Sequence, residues 1–596
     1  MQTLRVLAVL MLLTSVAQAF WVGDVDDATV DGNTVPANTV QIDSAGGANH
    51  GKTYASPWAA YADTPAGAKI VCGPGTFTCP WVAHTTTPTW SKNISIIGSG
   101  SDTNAASNTV FTGLLDANGL QLTGLEMFVF DSVANQEFKN FRMKDTIQNG
   151  IRYLHGSGVA SSNLLFENLA ASNLCHQMPN YGSYATDAGR LGDEDSGGPG
   201  QFAIVIQSYT SNVTIKNSLF DDMEGNGICF KQRSFSNVLI QGNEFSNLKA
   251  GIVLNPGNTS TGMQILGNTF DNMSEKVGME QYAAPNSNSG IVYCPRVGGN
   301  WLDSVISGNS FTDCGYLADE TSPMNIVDPN PHQYENRMLG EAGVSMLIPS
   351  GTYAENIMIR SNTFAEVAGD GIMEKGVFIA LSNLNGWNFG DNGGAPGVNA
   401  THTWSGTPGY VKYITIDNNT FTGLLTDLYG CKYTNEIQDP NAAWASPGVI
   451  YTGGGASKSG VIIAHDTNSD GVVNSADAVW DTDLDGDSDI DSADELLAFD
   501  KVFKTSYVDF NGDGSITGAD FVLWQSAYPT ASGAQIHLGD ANVDGAVTGA
   551  DFVLWQAAYP SDVVNFYRPA IIAPVPEPAT MALLALGGLA LIRRRR

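Results

Sequence analysis

The chain has 596 residues, too many for one ordinary hydrophobic core, so it reads as several domains or one extended solenoid. Gly at 66 residues, abundant Asn, Ser and Thr, and only 15% charged residues suit short strands and tight turns better than long helices. The formal charge of -32 argues against nucleic acid and anionic lipid as partners, and about half of it lies between Asp466 and Asp551, where 18 acidic residues accompany two lysines.

In chain order, residues 1–19 come first. Arg5, the apolar run VLAVLMLL and the small-x-small triplet Ala17-Gln18-Ala19 read as a signal peptide, with the mature chain starting at Phe20 outside the cytoplasm. Seven cysteines are too few for a disulfide framework. Cys72 and Cys79 flank a Gly-Pro-Gly turn, where they either bridge or stay as thiols, while the apolar contexts of Cys229, Cys294 and Cys314 predict buried thiols.

From about Ser162 to Phe421 a loose repeat recurs, ending in Phe220, Phe245, Phe270, Phe311, Phe364 and Phe421 at intervals of 25, 25, 41, 53 and 57 residues. A second short strand opened by Gly follows many copies, at Gly227, Gly251, Gly290, Gly343 and Gly371. Period-2 alternation places Ile215, Ile240, Ile265, Ile306, Ile359 and Ile416 inward. One coil of two or three such strands cannot bury its apolar face alone, whereas stacked coils share one core. The Asn two residues before each Phe from Phe245 onward (Asn243, Asn268, Asn309, Asn362, Asn419) suits a left-handed turn whose amide bonds the next coil. Intervals beyond 25 residues hold either degraded coils or loops, and the polar, Gly-rich insert from 172 to 200 suits a projecting loop.

This repeat resembles the right-handed parallel β-helix superfamily of pectate lyases and their relatives over roughly residues 50–460. The opening segment TYASPWAAYADTPAGAKIVCGPGTFT looks like the short helix and first strand that cap those folds. The resemblance implies an all-β parallel solenoid over residues 20–460 and action on polysaccharide. Lyases of this fold pair a base with a neutralised uronate, and hydrolases use paired carboxylates. The candidates here are Asp221, Asp222 and Glu224 in the turn before GICFKQR, with Lys231 and Arg233 after it. With Ile228 and Phe230 inward, Cys229 and Lys231 point out, Asn255 lies beside Lys231 on the next coil, and Asp193, Glu194 and Asp195 of the insert are within reach. No pectate-lyase or polygalacturonase signature is recognisable.

The acidic block follows. Calcium loops of the EF-hand type need oxygen donors at positions 1, 3, 5, 9 and 12 with Gly at 6. Asp466, Asn468, Asp470, Asn474 and Asp477 keep that spacing, as do Asp509, Asn511, Asp513, Thr517 and Asp520, and Asp540, Asn542, Asp544, Thr548 and Asp551. Asp483, Asp485, Asp487, Asp491 and Asp494 form a fourth loop with Ser488 in place of the Gly. TGADFVLWQ occurs twice, at Thr517 and Thr548, giving two short helices with Phe521, Trp524 and Tyr528, and Phe552, Trp555 and Tyr559, on one face of each. Helices this short must pack their aromatic faces together. The pair resembles the dockerin family over 507–562, with a more divergent copy at 464–506, which implies calcium as cofactor and a cohesin-like domain as partner. A purely structural calcium spacer is the other reading.

Residues 563–596 are a linker and tail. Val575-Pro-Glu-Pro-Ala precedes an apolar run to Ile592, shorter than the ~20 residues of a comfortable bilayer span, and four arginines, Arg593 to Arg596. With Pro576, Glu577 and Pro578 as its motif, this looks like a PEP-CTERM sorting signal. That resemblance implies cleavage by an exosortase, membrane contact through this segment alone, and location outside or in the envelope of a Gram-negative-type cell. Two functions follow: a secreted protein that binds or cleaves extracellular polysaccharide, as lyase or glycosidase, and a noncatalytic surface or matrix adhesion protein.

Overall fold

The computed structural model describes most of residues 28–459 and 506–562. It leaves out 1–27, 175–201, 275–288, 317–341, 383–408, nearly all of 460–505, 563–596 and several shorter connections. The chain divides into two compact units, residues 1–482 and 483–596.

In the first unit the repeat closes into stacked coils with three strands each. A representative coil runs through Phe235–Gln241 on the first face, Glu244–Leu248 on the second and Ile252–Asn255 on the third. Each strand pairs in parallel with its equivalent one coil on: Ile240 with Ile265, Phe245 with Phe270, Ile252 with Ile291. The fold is a parallel β-helix. All six predicted inward isoleucines are buried in one continuous core.

The register decides what the long intervals contain. Phe270 pairs directly with Phe311, Phe311 with Phe364 and Phe364 with Phe421, so the 41-, 53- and 57-residue intervals are single coils carrying inserts. From Phe245 to Phe364 the rings stack at centroid distances of 4.8 Å and nearly parallel planes, which matches the ~4.8 Å strand spacing. The Gly row explains itself against this stack. A Cβ at Gly251 or Gly290 would lie 2.5 Å from a carbon of the Phe270 or Phe311 ring. The last copy differs from expectation: Ala342 pairs with Lys375, which puts Gly376 in the row, and Gly371 lies outside the described residues.

The predicted Asn ladder is present, with one correction. Asn243, Asn268, Asn309 and Asn362 each donate backbone N–H and side-chain Nδ2 to the Oδ1 of the next Asn, at 2.8–3.0 Å. The left-handed residue is the one before each: Gly242, Gly267, Gly308 and Ser361 have φ of 62, 61, 66 and 54°. That residue makes the corner, which frees the Asn to keep an extended backbone and turn its amide along the stack.

At the N-terminal end, helix α1 (Pro57–Tyr61) lies where the sequence predicts a cap. Ser56 caps it, Pro57 fills its first turn, and Trp58 stacks on Phe128 at 5.5 Å while donating to the Met127 carbonyl at 3.2 Å. Cys72 and Cys79 are both buried thiols, as are Cys229, Cys294 and Cys314. Burial drives the Cys72 and Cys314 thiols far above their ordinary range.

The second unit contains helices α2 (Gly518–Ala527) and α3 (Gly549–Ala558). Thr517 and Thr548 cap them through reciprocal bonds with Asp520 and Asp551. Their aromatic faces meet as predicted: Phe521 lies 5.1 Å from Trp555, and Trp524 5.0 Å from Phe552. Trp524 Nε1 donates to the Thr548 carbonyl and Trp555 Nε1 to that of Thr517, at 3.0 and 3.2 Å, so each half locks onto the other.

Candidate functional site

Asp221 closes the second-face strand Leu219–Asp221, and Asp222 follows in a left-handed turn at φ 50°. The third-face strand Asn226–Lys231 then runs away from them for six residues, ~17 Å at strand rise, before Lys231 and Arg233. The expected acid-and-base patch is therefore split between two corners of the coil. Glu224 lies outside the described residues, as do Asp193, Glu194 and Asp195.

Lys231 pairs in register with Asn255, as expected. It lies on the outer side of its strand but is only 2% exposed. The outer side of the third face is a second apolar cluster, with Phe202, Val205, Cys229, Val253, Val292 and Phe378 all buried. Arg152, on the same face, pairs with Glu126 at 2.6 Å and donates to Gln207 at 2.8 Å. Arg233 holds its guanidinium 5.2 Å from the centre of the Tyr209 ring.

The carboxylates at the other corner have different company. Register aligns Ser172, Asp221, Ser246, Asp271 and Thr312 on the outside of the second face. The adjacent row carries Arg142, Ala170, Leu219, Glu244 and Thr269. Asp221 Oδ1 accepts from Ser246 Oγ at 2.7 Å and Asn247 Nδ2 at 3.0 Å. Arg142 donates to Ser172 Oγ at 2.8 Å and to the Ser101 carbonyl at 3.2 Å. Burial pulls its pKa down, with Asp102 and Asp221 opposing. Burial raises the Glu244 pKa, and Asp221 and Asp271 add to the rise; Asp271 is raised by burial and by Asp313.

Glu244, Asp271 and Arg142 were missed in the sequence although a signal exists. Asp221, Ser246, Asp271 and Thr312 each directly follow a ladder Phe, and Glu244 directly precedes one. The row is visible once the repeat is written in register.

In the last calcium-spaced loop, donors at positions 1, 3, 5 and 12 wrap the backbone. Asp540 accepts from the Asp544 and Gly545 N–H groups at 3.1 and 2.7 Å, Asn542 Oδ1 from Asp544 N–H at 3.0 Å, and Asp544 from Ala546 N–H at 2.9 Å. Asp551 accepts from the N–H groups of Asn542 and Thr548 at 3.2 and 2.8 Å. Gly545 has φ 82°, the turn that position 6 requires. Asp540 and Asp551 are 1% and 0% exposed, and burial raises the Asp540 pKa, with Asp551 and Asp544 adding and the two N–H groups opposing. In the preceding loop Asp509 and Asp520 are likewise buried. Asn511 and Asp513 lie outside the described residues, as do both loops between Asp466 and Asp494. Among the described residues no group of three or more His, Cys, Asp or Glu side chains is arranged to hold a metal ion.

One family model agrees with this architecture. The family model of the right-handed β-helix region matches residues 126–291. A protein-sorting motif of the PEP-CTERM type matches residues 574–596, marking an exported, envelope-sorted chain. Among solved structures, the A-module of the mannuronan C-5 epimerase AlgE4 of Azotobacter vinelandii aligns at 9% identity over 64% of this chain and 90% of its own, with a TM-score of 0.28. The A-module of AlgE6 from the same organism aligns at 12% identity over 65% and 89%, with a TM-score of 0.26. PfbA, a surface adhesin of Streptococcus pneumoniae, aligns at 16% identity over 61% and 85%, also at 0.26. No curated protein matches. Among the described residues no helix is long and apolar enough to cross a membrane.

Proposed function

We propose that this is an exported, envelope-sorted β-helix protein that binds extracellular polysaccharide along the outside of its coils without cleaving it. The observation that carries the reading is a strip of polar side chains kept in register on the first face. Ser162, Ser211, Ser236 and Thr261 align coil by coil, next to amides that bond in sequence from Asn237 to Asn212 to Asn163 to Asn135 at 2.6–3.0 Å. Such a strip offers hydroxyl and amide partners at one repeat distance, which suits a linear polymer of hydroxylated rings. The split between Asp221 and Asp222 on one side and Lys231 and Arg233 on the other favours binding over lyase or hydrolase chemistry, since acid and base must reach the same bond.

The α2–α3 unit reads as a dockerin-like module. The donor set of the Asp540–Asp551 loop fits calcium chemically: hard oxygen ligands at alternate positions, a glycine at the sharp turn and two buried carboxylates that would gain from a cation. Asp540, Asn542, Asp544, Thr548 and Asp551 would hold the ion, with Asp509, Thr517 and Asp520 in the sister loop. The bound ion would fix each loop against its helix and present the pair to a cohesin-like partner. An exosortase would act at the Pro576-Glu577-Pro578 motif.

The test is incubation of the full chain with polygalacturonate, alginate and xylan, with and without calcium, following binding by calorimetry and products by unsaturated-uronate absorbance and reducing ends. Binding with no new ends is the expected result. Products formed by the native protein would replace this reading with an enzymatic one.

A further inference from the structure

The corner between the third and first faces carries a row absent from the repeat motif. Thr210 pairs with Phe235, Ser260 with Trp301, Trp301 with Ala354 and Tyr353 with Tyr410. The same register aligns Tyr209, Ser234, Thr259, Asn300, Tyr353 and Tyr410, six coils in succession. The bonds along it are in place: Asn300 Nδ2 donates to Thr259 Oγ1 at 3.0 Å and accepts from Tyr353 N–H at 3.1 Å.

Both ends of the row are aromatic. Tyr353 and Tyr410 stack at 4.9 Å with planes 7° apart, and Tyr410 is 41% exposed, the one exposed aromatic ring among the described residues of the first unit. At the other end the connection from Phe230 to Phe235 is one residue longer than that from Ile206 to Thr210. Gln232 absorbs the extra residue at φ 70°, which brings Arg233 over Tyr209. Gln232 Oε1, Arg233 Nε and Ser208 Oγ are buried there with no hydrogen-bond partner. The next coil has Gly257 here, where a Cβ would lie 2.4 Å from the Gln232 carbonyl oxygen, so the two coils pack backbone against backbone at this corner.

We propose that this corner is the track on which the polysaccharide lies, with the chain parallel to the coil axis. This rests on the polysaccharide-binding reading above and locates it. A sugar ring stacks on Tyr410 at one end. Ser234, Thr259 and Asn300 meet ring hydroxyls between. At the other end the half-buried Arg233, its guanidinium held over the Tyr209 ring, meets a ligand oxygen. The ligand class is a linear pyranose polymer, and the oxygen at Arg233 belongs either to a carboxylate or to a neutral hydroxyl.

The experiment measures binding of the full chain to polygalacturonate and xylan, one acidic and one neutral. The variants are Tyr410→Ala, Tyr410→Phe, Arg233→Ala and, on the second face, Glu244→Gln. Unchanged thermal unfolding serves as the folding control. Tyr410→Ala should weaken binding about tenfold, a loss at the upper end for one aromatic contact; Tyr410→Phe should weaken it less than Tyr410→Ala does, and Glu244→Gln binds as the native chain does. Arg233→Ala weakening polygalacturonate alone identifies a carboxylate at that end; weakening both polymers equally identifies a hydroxyl. Native affinity in both Tyr410→Ala and Arg233→Ala, while the native chain binds, overturns the track and leaves the binding reading standing. A native chain that binds neither polymer overturns the reading itself.

Discussion

Asn309 receives two hydrogen bonds from Asn268, one from its backbone N–H at 2.8 Å and one from its side-chain Nδ2 at 3.0 Å, through a single Oδ1. Its own Nδ2 reaches the Ile265 carbonyl at 2.9 Å and Asn362 Oδ1 at 2.9 Å. With Asn309 2% exposed, water cannot replace these partners. Asn309→Ala therefore strands a buried N–H and should cost about 2–4 kcal/mol. A lowered urea midpoint checks this, and Asn309→Asp should not rescue it: the carboxylate keeps the acceptor but turns an oxygen toward the Ile265 carbonyl and Asn362 Oδ1.

The Gly row makes a second, sharper claim. Gly251→Ala places a methyl group 2.5 Å from the Phe270 ring, so the ring or the coil must shift. Overpacking of this kind costs ~1–3 kcal/mol. Combining it with Phe270→Leu should recover part of the loss, giving a positive coupling in a double-mutant cycle.

Glu244 and Asp271 are both held above the ordinary carboxylate range. A raised folded-state pKa means that the folded protein binds more protons than the unfolded one between the two values. Their contribution is then fully present below the unfolded pKa and is lost as pH rises through the folded pKa. The β-helix should lose part of its stability as pH rises through the upper carboxylate range, and Glu244→Gln should flatten that part of the profile. Thermal melts over an acid-to-neutral pH series read this directly.

The α2–α3 unit yields the metal prediction. Millimolar calcium should raise the unfolding midpoint followed by Trp524 and Trp555 fluorescence, and chelation should reverse it. Asp544 is exposed, so Asp544→Asn should leave the calcium-free protein unchanged while weakening calcium binding about tenfold. Identical melts with calcium and with chelator would remove calcium from the account.

Much of this was legible in the sequence because it follows from local periods. Alternation along one strand fixed Ile240 and Ile265 inward, and the 25-residue spacing of Phe220, Phe245 and Phe270 fixed a coil. The repeated TGADFVLWQ picked out the two short helices, and its i, i+3 aromatics the faces that pack together. Each of these patterns is complete within a few residues or within one copy.

Tertiary structure decided everything that depends on neighbouring coils. Only pairing of Phe270 with Phe311 tells an insert from an extra coil. Only the length of the strand Asn226–Lys231 separates Asp222 from Arg233, which sit 11 positions apart in sequence. The outer side of the third face shows in sequence as unbroken apolar runs such as FAIVI and GIVL, but the burial of the outward Lys231 on that face appears only in the structure. Likewise the alignment of Tyr209 with Tyr410, about 200 residues away, exists only because each coil is held in register by the hydrogen bonds of the one before it.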